Sequence, residues 1–367
     1  MSRGVTKIKV LDGLRGYAAL MIVLAHIPQI SDTSIGYLFK QAILASKMGY
    51  LGVDIFFVLS GFLITRILIM EKKENIFSLK IFYIKRALRI FPIYYLAIIV
   101  CGFLFSWEGL GYVSVYLSNY YFSFTSDPNP LRHTWSLAVE EHYYLLWPIM
   151  LYSFRLERVR KIIQFVVPIL VVASLVITYV IFDNTIADNL VYRGTQFRML
   201  SLSIGSVFAF YEPQIRGLSK SLKIKLCIGF VFIYILSILV HKTIIIDAFP
   251  KAAILLVLFS ICSSLFFMLI LLQEGRKNLI NYLFTNKVVG FVGRISYGVY
   301  LYHYIVFYFF GITDLQLNDT SIPVSGIVLP VFFVFLISTS SYYIFERPLL
   351  RYKSKLMRYR TDQASIS

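Results

Sequence analysis

The sequence predicts an all-α, polytopic membrane bundle of about ten transmembrane helices with both termini cytoplasmic. Three observations predict it. Of the 367 residues, 58% are hydrophobic and only 15% charged, too apolar a balance for a water-soluble globule. Apolar runs of spanning length recur along the whole chain. The basic residues crowd into alternate loops.

A helix needs roughly 17 to 25 mainly apolar residues to cross a hydrocarbon core about 30 Å thick. The first such segment, 10–30, contains LDGLRGYAALMIVLAHI, and the second, 49–70, contains GVDIFFVLSGFLITR. The third, 89–107, emerges from the basic stretch KIFYIKRALRIFP. Residues 109–124, GLGYVSVYLSNYYFSF, could re-enter or skim the interface and are assigned to the longest outside loop. The fourth segment, 135–154, begins within TWSLAVEEHYYLLWP, the fifth, 161–182, follows RVR, and the sixth, 196–211, is short. The seventh is 222–241, the eighth 251–272, and the ninth, 288–310, contains GRISYGVYLYHY. The tenth, 324–345, runs into FERP and a basic tail over 346–367, so the chain reads as one membrane domain over 1–367.

The net charge of +17 raises the question of a nucleic-acid partner, and its distribution answers it. One set of alternate loops and tails carries 25 basic residues, running from Arg3, Lys7 and Lys9 to the tail arginines Arg358 and Arg360. The opposite loops carry only Lys40, Lys47, Arg132, Arg193, Lys242 and Lys251. Basic residues stay on the cytoplasmic side, so the excess charge is topological, nucleic acid is not expected, and both termini face inward. Asp12 and Arg15 interrupt any signal-peptide core, so the first span is expected to remain in the protein. Cys101, Cys227 and Cys262 form no CxxC pair, and no metal site is expected.

Five arginines, Arg15, Arg66, Arg89, Arg198 and Arg294, lie within or beside the spans. An ionised group in hydrocarbon costs at least ~2.5 kcal/mol, so each needs a partner, a wet cavity or an escape to the interface. Arg66 and Arg89 lie near cytoplasmic helix ends and can snorkel. Arg15 and His26 stand eleven residues apart, close to three helical turns, which returns them to one face about 16 Å apart. Asp12 offers Arg15 a local partner. Asp54, at the outer end of the second segment, is expected at the level of His26, where it would orient one ring nitrogen and support the other as a general base. A structural ion pair or helix cap is the competing reading of Asp54.

Arg86 and Arg89 share a helix face just before Pro92, and two guanidinium forks at the inner mouth suit a phosphate-bearing ligand. Glu346 at the inner end of the last segment could orient them. Trp135, Ser136, Glu140 and Glu141 gather where the fourth segment descends from outside, and a glutamate pair there favours a wet cavity over a lipid face. Arg294, Tyr297 and Tyr300 recur at helical spacing with His303 further out, and Arg198 is placed in the same cavity. Close helix packing is the alternative role for the small residues around them.

In combination these stretches resemble the bacterial acyltransferase-3 family along nearly the whole chain. The marks are Arg15 to His26, GVDIFFVLSGFLIT, Arg86 and Arg89 before Pro92, TWSLAVEEHYYLLWP, GRISYGVYLYH and FERP. The resemblance implies a membrane O-acyltransferase, commonly an O-acetyltransferase, in the bacterial inner membrane. Its donor would be cytoplasmic acyl-CoA, acetyl-CoA in the usual case, with no tightly bound cofactor. Its acceptor would be a cell-surface glycan or lipid-linked glycan, such as lipopolysaccharide O-antigen, exopolysaccharide or capsule. It makes His26 the catalytic base and places Arg86 and Arg89 at the CoA-facing end. Position 142 is histidine where many members carry glutamine. Some relatives carry an SGNH hydrolase-like domain, and none is expected after FERP in this sequence. A secondary transporter of a polar or anionic solute is the other class with buried charge around a cavity, but the paired halves common there are not evident.

Overall fold

The computed structural model describes residues 7–27, 48–126, 128–242, 247–313 and 322–349. Helix α1 is Lys9–Ala25, α2 Met48–Lys73 and α3 Leu79–Leu104. Two short helices follow, α4 Leu110–Ser114 and α5 Ser118–Phe124, and a 3₁₀ turn at Arg132–Thr134 leads into α6 Trp135–Ser153. Helix α7, Leu156–Ile181, contains a π turn, α8 is Asn184–Arg193 and α9 Thr195–Phe210. After α10 Glu212–Arg216 come α11 Lys220–Lys242, α12 Ala248–Leu271, α13 Leu279–Thr285 and α14 Lys287–Phe309. Helix α15, Val324–Ser341, continues through a π turn to Glu346.

Six of these, α2, α3, α7, α11, α12 and α15, are long and apolar enough to cross a membrane. The other four expected spans form α1, α6, α9 and α14, which are shorter or carry the ionisable residues. Burial is inverted relative to a soluble protein. Asp54, His133, Arg198, Ser201, His303 and Glu346 are buried, whereas Phe103, Ile169, Val180, Ile228, Phe232 and Val288 face outward. Polar groups shelter inside from a solvent that cannot hydrogen-bond, as a bilayer demands. Helix α11 buries only Ser237 along its length and lies at the lipid margin.

Two close helix contacts frame the interior. A methyl group on Gly61 of α2 would overlap the Leu202 carbonyl of α9, and one on Gly205 would overlap Val58. Gly13 and Gly293 bring α1 against α13 and α14 in the same way, since a methyl at either would strike the backbone of Phe284 or Asp12. Small residues substitute for hydrophobic driving force where the surrounding solvent is itself apolar.

The structure departs from the sequence reading in several boundaries. Helix α3 begins ten residues before the expected 89, because the basic stretch is itself helical and Ser78 caps it by accepting from Ile81 N. Pro92 is carried inside that helix. The segment 109–124 folds into α4 and α5, with Tyr94 OH of α3 donating to Val113 O at 2.8 Å. Helix α8 lies between two expected spans, where hydropathy marks no segment. Asp183 caps it through Thr185 and Ile186 N, and its Ala187, Leu190 and Val191 pack with Val171, Phe197 and Leu256. The first segment ends in helix at Ala25, and its residues 28–30 lie outside the described residues.

Candidate active site

A cavity of about 730 Å³ opens at the end of the bundle where α1 begins and α2 ends, the end with the basic loops. Its volume falls within the range of small-molecule sites. Lys7, Arg66, Glu71 and Lys85 stand among its lining residues, with Lys85 Nζ 3.3 Å from Glu71. Arg66 does not snorkel. Its Nε donates to Glu212 at 2.6 Å, and Glu212 also receives Arg216.

Arg15, Arg86 and Arg89, expected from the sequence at the inner mouth, all line this cavity. Arg15 lies 3.9 Å from Asp12, which Lys7 holds at 2.6 Å. The i,i+3 spacing turns Arg86 and Arg89 to one side of α3, where Arg86 lies 3.3 Å over the ring of Tyr144 and 4.0 Å from Glu141. Arg86 Nε has no hydrogen-bond partner among the described residues. Glu346 is buried at the end of α15 with Arg89 as its charged neighbour, and its Oε1 is unpartnered.

Glu140 and Glu141 also line the cavity, and as neighbours on a helix they point about 100° apart. Glu140 accepts from Ser60 Oγ at 2.7 Å and Tyr144 OH at 2.9 Å, joining α6 to α2. Glu141 faces Arg86 on α3. Lys72 fixes the other end of that contact by donating to the carbonyls of Leu151 and Phe154 at the end of α6.

Ser136, Tyr297 and Tyr300 complete the lining. Tyr300 OH donates to His133 O at 2.7 Å, so Ser136 Oγ is the donor in their 2.5 Å contact. Tyr300 is thus the lining residue that meets the histidines. Behind it lie His133 and His303, each with its ring centroid 5.6 Å from that of Tyr300. His26 stands in the same layer, 5.1 Å from His303 and 5.4 Å from Tyr304. Its Nδ1 donates to Ile22 O at 2.9 Å, which leaves Nε2 as the basic nitrogen of the neutral ring. Burial first, and His26 second, push His133, in the turn before α6, down to about 3.

The placements of five residues are corrected. Asp54 does not share the level of His26. Gly49 packs on Ala25 and Gly52 on Ile22 and Ala18, so Asp54 sits deeper along α2 than the His26 end of α1. Its carboxylate receives Arg198 Nη1 at 3.2 Å and Ser201 Oγ at 2.7 Å, both from α9. Arg198 in turn donates to Tyr192 O and lies over the rings of Tyr192 and Trp135 at 4.9 and 5.6 Å. Asp54, Arg198 and Trp135 therefore form a structural knot between α2, α6 and α9, outside the residues that line the cavity. Arg294 is exposed and stacks on Phe291, one turn along α14 from the inward-facing Tyr297. His303 lies in the histidine layer and not on the cavity wall.

His133, Ser60 and Tyr144 were not selected from the sequence as site residues. The stretch LRHTWS places a third histidine at the same end as His26 and His303, and that shared level was the available signal. His142 bonds Thr195 Oγ1 at 2.6 Å and belongs to the packing of α6 on α9.

Fold and cavity define a helical membrane protein built around internal charge. A family model described as an acyltransferase domain matches residues 8–345, and the chain belongs to this family, the acyltransferase-3 family. It is 30% identical over 365 residues to YrhL of Bacillus subtilis, provisionally named a peptidoglycan O-acetyltransferase, covering 92% of this chain and 54% of the relative. It is 28% identical over 366 residues to the peptidoglycan O-acetyltransferase OatA of Listeria monocytogenes, covering 92% of this chain and 55% of that one. A Staphylococcus aureus protein provisionally named an O-acetyltransferase matches at 28% identity over 381 residues, covering 96% of this chain and 59% of its own. The chain thus spans somewhat over half the length of these relatives. No solved structure shows a significant match.

Proposed function

We propose that this chain is a membrane O-acyltransferase, an O-acetyltransferase in the first instance, which moves an acyl group from cytoplasmic acyl-CoA to a hydroxyl of a cell-surface polysaccharide or its lipid-linked precursor. The observation that carries this reading is the convergence of Arg15, Arg86 and Arg89 on one cavity at the basic end of the bundle. Guanidinium forks suit the phosphates of CoA. The narrow pantetheine arm would extend past Tyr144 and Glu140 toward Ser136 and Tyr300. Peptidoglycan, for which two of the relatives are named, joins O-antigen, exopolysaccharide and capsule as an acceptor class.

In this mechanism Tyr300 turns aside and the thioester meets the acceptor hydroxyl beside His26. The hydroxyl proton passes to His26 Nε2 as its oxygen attacks the thioester carbon. The tetrahedral intermediate collapses with cleavage of the C–S bond. The proton then returns from His26 to the departing sulfur, leaving an ester and free CoA. Enclosure by the bundle limits loss of the thioester to water.

The test supplies labelled acetyl-CoA to membranes containing wild type or His26→Ala and follows label into glycan. The expected result is labelling by wild type and near-complete loss in the variant. Equal labelling by a folded His26→Ala protein overturns the role of His26, and no donor-dependent labelling by wild type overturns the reading as a whole.

A further inference from the structure

Four carboxylates line the cavity among the described residues, Asp12, Glu71, Glu140 and Glu141. Asp12 holds Lys7, Glu71 faces Lys85, and Glu140 accepts from Ser60 and Tyr144. Glu141 differs, because its carboxylate has no partner at hydrogen-bond distance among the described residues. Arg86 Nε stops 4.0 Å away and is itself unpartnered, whereas a closed guanidinium–carboxylate bond measures about 2.7–2.9 Å. A sheltered acceptor calls for a donor, and the wall beyond Glu141, where Phe56, Phe57 and Leu137 stand, supplies none.

Helix α6 runs toward the basic end, where Lys72 holds its last carbonyls, and rises about 1.5 Å per residue. Glu141 therefore lies about 4.5 Å deeper than Tyr144, and Ser136 about 7.5 Å deeper again. Helix α3 starts at the basic end, with Lys85 beside Glu71 at the end of α2. Side chains lean toward the N-terminus of their own helix, so Arg86 and Arg89 lean back to the mouth while Glu141 leans toward Ser136. A ligand passing inward meets guanidinium groups, then an open carboxylate between apolar walls, then the hydroxyls of Ser136 and Tyr300. An acyl-CoA presents phosphates, then a pair of amide N–H groups, then the thioester, in the same order.

We propose that Glu141 reads the pantetheine arm, its carboxylate accepting an amide N–H of the donor and so setting how far the thioester reaches past the arginines. This role rests on acyl-CoA being the donor. It makes Glu141 a specificity-determining residue, since a phosphorylated acyl donor without an amide, such as acetyl phosphate, would occupy the arginines and leave Glu141 without a hydrogen bond.

The experiment measures Kd for acetyl-CoA and for adenosine 3′,5′-bisphosphate, which has no pantetheine, on wild type, Glu141→Leu and Glu141→Gln in nanodiscs. Loss of the charge beside Arg86 acts on the phosphates of both ligands and cancels in the ratio of the two constants. Glu141→Leu should raise the ratio of acetyl-CoA Kd to bisphosphate Kd by roughly 10 to 100-fold, the scale of one hydrogen bond to a charged group. Glu141→Gln, whose Oε1 still accepts, should fall between leucine and wild type. An unchanged ratio in folded Glu141→Leu, or equal ratios for leucine and glutamine, overturns the proposal. Should the leucine variant fail to fold, wild type carries the test with an acetyl-CoA analogue in which ester oxygens replace both amide N–H groups. Binding weaker than that of acetyl-CoA by about ten-fold or more supports the role, and equal binding overturns it. An unchanged ratio beside wild-type binding of acetyl-CoA sinks this inference alone, whereas no binding of acetyl-CoA by wild type removes the donor and this inference with it.

Discussion

Asp54 and Arg198, 144 residues apart in the chain, form an ion pair at 3.2 Å with exposures of only 0% and 3%. Removing one partner of a buried pair leaves an uncompensated charge and costs about 3–5 kcal/mol. Asp54→Ala and Arg198→Ala are therefore expected to lower the unfolding midpoint in detergent by similar amounts. The double variant Asp54→Leu with Arg198→Met should recover most of that loss. Unfolding curves measured beside initial rates decide the role of Asp54, because a catalytic carboxylate would cut the rate at unchanged stability.

Arg86→Ala combined with Arg89→Ala should weaken binding of acetyl-CoA. A hydrogen bond to a charged group contributes about 1.5–3 kcal/mol, so the expected loss is ten-fold or more in Kd, with little change in the KM of the acceptor. Titration of acetyl-CoA into purified protein in nanodiscs reads the effect. An unchanged Kd would remove these arginines from the donor site.

Tyr144 has two separable duties, since its hydroxyl donates to Glu140 while its ring lies under Arg86. Tyr144→Phe removes the first and keeps the second. It should cost about 1.5–3 kcal/mol of stability and leave acetyl-CoA affinity within a few-fold. Tyr144→Ala should lower that affinity further, because Arg86 loses its seat. Comparing the two variants by thermal unfolding and by binding separates the contributions.

Gly61 and Gly205 meet backbone across the contact of α2 with α9. Either Gly→Ala change forces the helices apart, and overpacking of this kind costs about 1–3 kcal/mol. Gly111, which has open space around its position, is the control and should tolerate alanine. Thermal unfolding of the three variants in one detergent checks the contrast.

Ten apolar segments were legible because hydropathy is a local property, and each has a helix in the structure. The start of α3 was not, because Lys80, Lys85 and Arg86 read as loop although a helix margin accommodates them. The ten-residue helix α8 escaped because its apolar positions are few and its stability comes from Val171, Phe197 and Leu256 elsewhere in the chain. Within the site, Arg15, Arg86, Arg89, Glu140 and Glu141 were legible as costly charges in apolar surroundings. Partnerships were not. The depth of Asp54 along α2 is not readable from hydropathy, and its pairing with Arg198 depends on how α2 meets α9. Arg294 followed the helical spacing of Tyr297 and Tyr300, but the small angular offset of three residues carries it to the outer surface.

The hydrogen bonds that join Tyr300 to Ser136 and His133 bear on how the cell stays energised. One elementary charge crossing a potential of 100 mV releases about 2.3 kcal/mol, so a water-filled passage lined by arginine and glutamate would dissipate the voltage that drives uptake and synthesis. Tyr300, with its hydroxyl on His133 O, stands between the charged lining of the cavity and the three histidines, so a polar passage at that point requires the phenol to move.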